Sequence, residues 1–365
     1  MTKRNILLNP GPVTLTAGVR QALTEGDWCH REPEFAELTR YINAELVRIY
    51  PDMEADYSSV MMTGSGTSAV EGMLATFAPD NSTTLVLANG VYGERMANIL
   101  KAHRKPYELL RDEWTAPVDL AAAARILDKH PGITHVVTVH HETTTGRLND
   151  LDAIGALCKQ RGLSLLLDGV SSFAAEAIQA DAWNLAAVAA TANKCIHAVP
   201  GLSFVVARND LWTGEQYDAG SVYLNLHAYY AGQHGEGYSP FTQSVQSAFA
   251  LREALDELRE EGGWSGRRRI YRERAARIEQ ELTSLSISML LNKEEYSCVL
   301  RSYLLPDGCD YETAHDAFKA AGFVIYAGQG KFADNIFRIA NMGAIEAEDL
   351  DELAATFAQV FGPFA

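Results

Sequence analysis

The central part of the chain alternates between short apolar runs and longer amphipathic stretches. The apolar runs predict strands at Ser59–Met62, Thr84–Ala88, His135–His140, Ser164–Leu167, Ala187–Thr191 and Leu202–Ala207. The amphipathic stretches between them predict helices at Ser68–Phe77, Gly93–His103, Leu120–Lys129 and Leu151–Gln160. Short strands that alternate with helices are typical of a mostly parallel sheet that is covered on both faces and binds ligands at its carboxyl edge.

The pattern changes after about residue 245. Two long helices are predicted at Gln246–Arg259 and Gly266–Leu285, and a glycine pair at positions 262 and 263 separates them. The remaining residues predict a smaller α+β unit with strands at Cys298–Leu304 and Phe337–Asn341 and helices at Tyr311–Ala321 and Glu348–Phe361. We therefore expect an N-terminal segment over residues 1–15, a large domain over 16–262 and a small C-terminal domain over 263–365.

Composition and charge narrow the class of protein. Of the 365 residues, 47% are hydrophobic, and 31 Lys and Arg against 47 Asp and Glu give a net charge of −16. The apolar content is too high for a disordered chain, and the acidic balance argues against nucleic acid as a partner. An anionic ligand would have to be held by a local cluster of donors, against the overall field.

The chain start and the cysteines favour a cytoplasmic enzyme. The apolar run Ile6–Leu8 is too short for a signal peptide, and no run approaches the roughly 18 apolar residues of a membrane span. The five cysteines are odd in number, widely spaced and without a C-x-x-C pair, which is typical of reduced thiols. We expect no membrane partner.

Two polar residues at successive strand ends carry the clearest chemical signal. Asp168 follows the apolar run Leu165–Leu167, and Lys194 follows small and apolar residues after the next strand. A buried lysine is a nucleophile toward an aldehyde, and a carboxylate keeps a pyridine nitrogen protonated, so the pair fits pyridoxal phosphate. Taken singly, Asp168 could be a turn or helix cap, and Lys194 could be a surface lysine.

Other segments offer groups for a phosphate, a flat ring and an anion. Thr63–Ser68 lies between a strand and a helix, where glycines and a helix N-terminus suit a phosphate, and it matches neither the NAD nor the ATP pattern. Tyr92 is placed to cover a flat cofactor, although a tyrosine packed in a turn fits as well. Arg338 in an apolar strand needs an anionic partner, either a substrate or an internal acid.

The adjacent His140 and His141 do not predict a metal site, because consecutive strand residues point to opposite faces. We expect no metal. The hydroxyls of Thr143–Thr145, which follow, suit hydrogen bonds to a phenolic oxygen and to a substrate.

Together these segments resemble the fold-type I pyridoxal-phosphate enzymes of the class V aminotransferase group, and most of all the 2-aminoethylphosphonate–pyruvate aminotransferases. The resemblance runs from Leu8 to Gly343 and is carried by Gly64–Thr67, Asn89–Gly93, Glu142–Gly146, Ser171–Phe173, Ala192–Ile196, Val199–Gly201 and Gly322–Tyr326. It implies an α/β fold in which a mostly parallel sheet of the seven-stranded type lies between helices, with a smaller α+β C-terminal domain.

The resemblance also implies roles for single residues. The cofactor would be contacted by Ser65, Gly66 and Thr67 at its phosphate, Tyr92 on its ring, Thr143 at its phenolic oxygen, Asp168 at its nitrogen and Lys194 at its aldehyde carbon. Lys194 would also move protons. Thr242 would reach the phosphate in a neighbouring subunit, which implies a homodimer with active sites at the interface. Arg338 would hold the carboxylate or phosphonate of the substrate.

Three departures from the group leave three reactions open, and one of them is Asp168-Gly169-Val170 in place of the usual Asp-Ala-Met. Cys29–Phe35 is more similar to alanine–glyoxylate or serine–glyoxylate enzymes, and the loop Asp218–Tyr223 lacks an expected basic residue. The first reaction moves the amino group of 2-aminoethylphosphonate to pyruvate and gives phosphonoacetaldehyde and alanine. The second releases ammonia from 1-hydroxy-2-aminoethylphosphonate, and the third is an alanine– or serine–glyoxylate amino transfer.

Overall fold

The computed structural model describes residues 5–214 and 216–364. Residues 1–4 of the predicted N-terminal segment lie outside the described part. Within the described part, no helix is long and apolar enough to cross a bilayer.

The strands are β1 (Ile6–Leu7), β2 (Tyr57–Gly64), β3 (Thr83–Ala88), β4 (Tyr107–Arg111), β5 (Ile133–Val139), β6 (His141–Glu142), β7 (Arg147–Leu148), β8 (Ser164–Asp168), β9 (Leu185–Thr191), β10 (Gly201–Arg208), β11 (Leu300–Leu304), β12 (Phe323–Val324), β13 (Tyr326–Ala327) and β14 (Ile336–Ala340). The helices are α1 (Ala17–Ala22), α2 (Pro33–Arg48), α3 (Gly66–Phe77), α4 (Val91–Ala102), α5 (Leu120–Lys129), α6 (Leu151–Arg161), α7 (Asn209–Thr213), α8 (Leu226–His234), α9 (Val245–Glu260), α10 (Gly263–Ser284), α11 (Tyr311–Ala321) and α12 (Ala347–Phe361).

The central sheet has seven strands in the order β2-β10-β9-β8-β5-β3-β4. Strand β10 runs antiparallel to both of its neighbours, and the other adjacent pairs are parallel. The predicted mostly parallel sheet is therefore confirmed. Edge strand β4 is missing from the sequence prediction, because its residues Tyr-Glu-Leu-Leu-Arg are half-buried or exposed and mix charge with only a short apolar run.

Alternate strand residues fill two cores on opposite faces of the sheet. Leu165 and Leu167 of β8 pack on the face covered by α2 and α9, whereas Leu166 packs on the face covered by α3 and α4. Burial on both faces explains why this strand is a continuous apolar run. The carboxyl ends of β2, β3, β5, β8 and β9 meet at one edge of the sheet.

A second, smaller sheet joins β11, β14 and β13 in antiparallel order. It packs with α11 and α12 around Phe318, Phe337 and Phe357. Strand β1 pairs in parallel with β12, so Ile6 and Leu8 join this core, and the Leu8 carbonyl accepts a hydrogen bond from the Ala340 N–H at 2.7 Å. Ile6 and Leu8 thus belong to the hydrophobic core of the C-terminal part of the structure. The division at residues 15 and 262 stays a prediction.

Candidate active site

The carboxyl edge of the central sheet gathers most of the predicted site residues. Ser65 to Thr67 follow β2, Tyr92 lies in the first turn of α4 after β3, and Thr143 follows β5 and β6. Asp168 is the last residue of β8, and Lys194 lies in the loop after the neighbouring strand β9. Parallel strands bring these separate segments together, as open α/β sheets do.

Asp168 presents a buried carboxylate at this edge, with 6% of the residue exposed. One oxygen accepts a hydrogen bond from the Val170 N–H at 3.0 Å, so Asp168 also stabilises the turn that follows it. Burial raises the pKa of Asp168 to about 6, although Val170, Arg95 and Lys194 act to lower it. The group is therefore suited to a cationic partner such as a protonated ring nitrogen.

Lys194 is partly buried, and its side chain passes Gly11. A Cβ at position 11 would lie 2.5 Å from Lys194 Cδ, and Gly11 has φ +99°, so both space and backbone favour glycine there. Among the described residues the amine makes no hydrogen bond. Burial lowers its pKa to about 8, with a smaller effect in the same direction from Arg338, while Cys195 and Asp168 act to raise it. A substantial fraction of the amine is thus neutral near pH 8 and nucleophilic.

The start of α3 provides a phosphate-sized cradle. Ser65 is the N-cap residue but its hydroxyl makes no capping hydrogen bond, and Ser65 and Thr67 are exposed. Gly66 packs on Val170, because a Cβ there would lie 2.7 Å from Val170 Cγ1. The cradle therefore contacts the turn after Asp168, and its hydroxyls and first-turn N–H groups remain open to a ligand.

Glu142 is a buried site residue that the sequence prediction misses. Its carboxylate accepts hydrogen bonds from the Tyr92 N–H at 3.1 Å and the Gly93 N–H at 3.3 Å, and it thereby caps α4. A Cβ at Gly90 would lie 2.2 Å from Glu142 Cδ, which explains the glycine. Burial raises the pKa of Glu142 to about 7, although hydrogen bonds from Thr144 act to lower it. Only the fold brings Glu142 to α4, so no local sequence signal identifies it.

Arg338, on β14 of the smaller sheet, is fully buried without a carboxylate partner. Its Nε donates to the Ala327 carbonyl and its Nη1 to the Thr143 carbonyl, both at 2.7 Å. Its Nη2 is buried and has no partner within the described residues, which argues against the internal ion pair left open by the sequence. The ring of Tyr326 lies 5.0 Å from the guanidinium carbon. A buried guanidinium with one open Nη2 and no ion pair is suited to an anionic ligand.

Thr143 and Thr242 differ in exposure. Thr143 is buried beside Arg338, to which it gives its carbonyl, whereas Thr242 is exposed in the loop before α9. An exposed position suits a residue that acts on a second subunit. Nearby lie Tyr223, which packs on Phe241, and Val222, which is 81% exposed.

The two adjacent histidines point in different directions. His140 packs edge-on against Trp183. His141 is buried, with Nδ1 3.2 Å from the Ser171 carbonyl and Nε2 without a partner. Burial lowers the pKa of His140 to about 3 and that of His141 to about 4. In the described residues, no group of three or more His, Cys, Asp or Glu could hold a metal ion.

Helix α10 anchors the loops that carry Lys194 and Arg338. Arg267 Nη1 donates to the Cys195 carbonyl at 2.6 Å, directly after Lys194. Arg274 Nη1 donates to the carbonyls of Asn341 and Gly343, just after β14. His197 accepts the Gly343 N–H at 2.8 Å and so joins the two loops. This helix is expected from the sequence, but not its buried arginines.

These residues fit pyridoxal phosphate. Asp168 offers a buried carboxylate to a ring nitrogen, and Lys194 offers an amine to an aldehyde. Gly66 lets the start of α3 pack closely on Val170 in the turn after Asp168, and the exposed Ser65 and Thr67 there suit a phosphate. The buried His141 Nε2 has no partner either, which is expected of a group beside a ligand site.

Solved structures share this fold. An aspartate aminotransferase of subgroup IV from Thermus thermophilus has a TM-score of 0.88 at 24% identity, covering 99% of this chain and 100% of that chain. An alanine–glyoxylate aminotransferase from Nostoc sp. has a TM-score of 0.90 at 23% identity, covering 99% and 96%. The fold is that of the fold-type I pyridoxal-phosphate enzymes.

Proteins of similar sequence identify the enzyme family. The family model described as aminotransferase class-V matches residues 108–304. A 2-aminoethylphosphonate–pyruvate transaminase of Aeromonas hydrophila is 37% identical over 347 residues, covering 93% of this chain and 90% of the relative. One of Pseudomonas putida is 32% identical over 362 residues, covering 99% and 98%. The chain belongs to the class-V aminotransferase family, which confirms the expected cofactor, pyridoxal phosphate.

Proposed function

We propose that this enzyme transfers the amino group of 2-aminoethylphosphonate to pyruvate and gives phosphonoacetaldehyde and alanine. The observation that carries the proposal is the buried, unpartnered Nη2 of Arg338, whose charge acts on Lys194. An anionic substrate bound there would lie near the reacting amine. The relatives named for this reaction support the same substrate pair.

The cofactor is held from several sides. Ser65, Gly66 and Thr67 bind its phosphate, Tyr92 covers its ring, and Thr143 donates to its phenolic oxygen. Pyridoxal phosphate, when bound, supplies a conjugated ring that accepts the electron pair released at the substrate carbon.

Asp168 and Lys194 divide the proton chemistry. The Asp168 carboxylate holds a proton on the pyridine nitrogen, and burial strengthens this pairing because little water screens it. The Lys194 amine would take the proton from the substrate carbon that bears the nitrogen, and as an ammonium it would give that proton up again. Its lowered pKa suits both steps near neutral pH.

Arg338 orients both substrates through their anionic groups. A guanidinium can donate two parallel hydrogen bonds to either a phosphonate or a carboxylate, so one residue can receive 2-aminoethylphosphonate and then pyruvate. The Thr143 carbonyl fixes the guanidinium beside the predicted cofactor position.

We also propose a homodimer with its active sites at the interface. The exposed Thr242, Val222 and Tyr223 lie close together at the rim of the site and support a contact with a second subunit. Thr242 would then reach the phosphate bound in the partner. The cytoplasmic location favoured by the cysteine pattern stays a prediction.

The reaction is tested with the purified enzyme loaded with pyridoxal phosphate. Incubation with 2-aminoethylphosphonate and pyruvate is expected to give alanine and phosphonoacetaldehyde in equal amounts, without ammonia. Lys194→Ala is expected to lose activity and the visible absorbance of the bound cofactor. Lys159→Ala, at an exposed lysine paired with Asp181, is the matched control and should retain both.

The two other reactions are separated in the same assay. Ammonia release from 1-hydroxy-2-aminoethylphosphonate without a keto acid, together with no alanine from 2-aminoethylphosphonate, would contradict the proposal in favour of a lyase. Activity confined to alanine or serine with glyoxylate would contradict it in favour of the third reaction.

A further inference from the structure

Arg95, on α4, is a cation next to the phosphate cradle that none of the predicted roles uses. Its Nη1 donates to the hydroxyl oxygen of Thr67 at 3.2 Å. Its guanidinium carbon lies 4.6 Å from the centre of the Tyr92 ring. Arg95 thus contacts one residue predicted to hold the phosphate and one predicted to cover the ring.

The carboxylates around Arg95 do not form an ion pair with it, although its charge acts to lower the pKa of the buried Asp168. Within residues 5–214 and 216–364, no carboxylate lies within ion-pair distance of it. The adjacent Glu94 pairs with Arg111 at 3.3 Å instead, and Glu71 of α3 pairs with His103 at 2.9 Å. The guanidinium of Arg95 is therefore available to an anionic ligand.

The phosphate cradle lacks a cation of its own. Neither the loop Thr63–Ser68 nor the rest of α3 contains a lysine or arginine. The phosphate of the cofactor carries a charge between −1.5 and −2 near pH 7, since the second pKa of such groups is about 6. Backbone N–H groups and hydroxyls alone would leave much of this charge unbalanced.

We propose that Arg95 is the cationic residue of the cofactor phosphate site. Its guanidinium hydrogen-bonds the phosphate oxygens beside Thr67, while stacking on Tyr92 holds the side chain in place before the phosphate arrives. A preorganised arginine loses little conformational freedom on binding, so its full charge acts on the ligand. This inference rests on the cofactor alone and holds for any amine substrate.

The test compares two ligands that differ only in the phosphate. The full-length enzyme, stripped of cofactor, is titrated with pyridoxal phosphate and with pyridoxal, and visible absorbance and tryptophan fluorescence report binding. Arg95→Ala is expected to weaken pyridoxal phosphate binding about ten- to a hundredfold. Its pyridoxal binding is expected to change less than about twofold, because pyridoxal lacks the phosphate.

Arg95→Lys keeps the charge and is expected to retain most of the affinity for pyridoxal phosphate, since lysine also binds phosphate as a point charge. Arg125→Ala, at an exposed arginine on α5 that lies 3.8 Å from Asp119, is the matched control and should bind both ligands normally. High salt should weaken pyridoxal phosphate binding more in the wild type than in Arg95→Ala.

Two results would overturn the proposal. Equal weakening of both ligands in Arg95→Ala would mean that Arg95 acts only by orienting Tyr92. Unchanged binding of both ligands would mean that Arg95 does not face the phosphate. Should Arg95→Ala fold poorly, Arg95→Gln, which removes the charge but keeps most of the side chain, decides by the same ratio, because it must weaken pyridoxal phosphate binding and leave pyridoxal binding within about twofold. No substrate is used, so a failure of the proposed reaction does not affect the outcome.

Discussion

Two buried arginines, Arg267 on α10 and Arg338 on β14, are each at most 1% exposed but have different partners. Arg267 pairs with Glu261 at 2.6 Å and donates to the Cys195 carbonyl. Burial acts to lower the pKa of Arg267, but Tyr271 and Glu261 outweigh it, and the pKa is raised. Burial also lowers the pKa of Arg338, and there the neighbouring tyrosines do not compensate.

The difference separates a structural arginine from a binding arginine. The charge of Arg267 is balanced inside the protein, so it holds a loop in place. Arg338 contacts carbonyls and an aromatic ring, and Glu142 acts on its charge without forming an ion pair, so a substrate anion is the partner that would complete its contacts. Burial alone does not distinguish the two arginines, and a carboxylate in direct contact does.

The largest expected effect is on catalysis by Arg338→Ala. We expect kcat/KM for 2-aminoethylphosphonate to fall about 10²–10³-fold, because a buried charge-assisted pair with the substrate is lost. Stability to urea should fall as well, by about 1–3 kcal/mol, because the Ala327 and Thr143 carbonyls lose their donor, so kcat/KM is the readout that separates this variant from Arg267→Met. If Arg338→Ala is strongly destabilised but has a normal kcat/KM, Arg338 is a structural arginine and not a binding arginine.

Arg267→Met is expected to act on stability instead. It leaves the Cys195 carbonyl and Glu261 without their partner, for a loss of about 2–4 kcal/mol in the free energy of unfolding. The KM for 2-aminoethylphosphonate should stay the same. Arg269→Met, on the same helix but in an exposed pair with Glu273, is the matched control and should change stability by less than about 0.5 kcal/mol. A raised KM in Arg267→Met with normal stability would contradict this assignment.

A pH titration sharpens the comparison further. The rate at which pyridoxal phosphate attaches to the cofactor-free enzyme should rise with pH around a midpoint of about 8, because only the neutral Lys194 amine reacts. The positive charge of Arg338 disfavours the ammonium form of Lys194, so Arg338→Gln should move the midpoint above 8. Arg267→Met should leave the midpoint in place. Equal midpoints in all three proteins would show that the charge of Arg338 does not reach Lys194.

The smallest expected effect concerns the ring over Arg338. Tyr326→Leu removes a cation–π contact at a 44% exposed tyrosine and should raise the KM for 2-aminoethylphosphonate about two- to fivefold. Tyr326→Phe keeps the ring and should stay within about twofold of the wild type. If Tyr326→Phe raises the KM as much as Tyr326→Leu does, the phenolic hydroxyl and not the ring supports Arg338, and if neither variant changes the KM, the contact has no role in binding.

The two arginines also show how far sequence reasoning reaches. Arg338 is predictable because it interrupts an apolar strand. Helix bounds are also predictable where an aspartate caps the N-terminus, and Leu120–Lys129 and Tyr311–Ala321 are predicted with their observed bounds. Arg267 stands in a helix rich in Arg and Glu, where local sequence cannot distinguish a buried side chain from a solvated one. Its partners, Glu261 and Cys195, come from two different segments of the chain.

The same limit applies within the site. Asp168 and Lys194 are predictable from strand ends, because the carboxyl edge of a parallel sheet brings such residues together. Glu142 is not predictable in this way, because its carboxylate contacts the start of α4 only when β3 pairs with β5. The contact of Gly11 with Lys194 likewise joins segments that are far apart in sequence.

The pairing of β1 with β12 has a consequence for synthesis on the ribosome. Ile6 and Leu7 emerge long before their partners Phe323 and Val324, which follow roughly 300 residues later. At about 5–20 residues per second, this apolar start of the chain waits on the order of tens of seconds before its partner strand exists. The wall that Gly11 forms beside Lys194 is thus among the last parts of the molecule to be completed, and a nascent chain would have a finished central sheet before it had a closed active site.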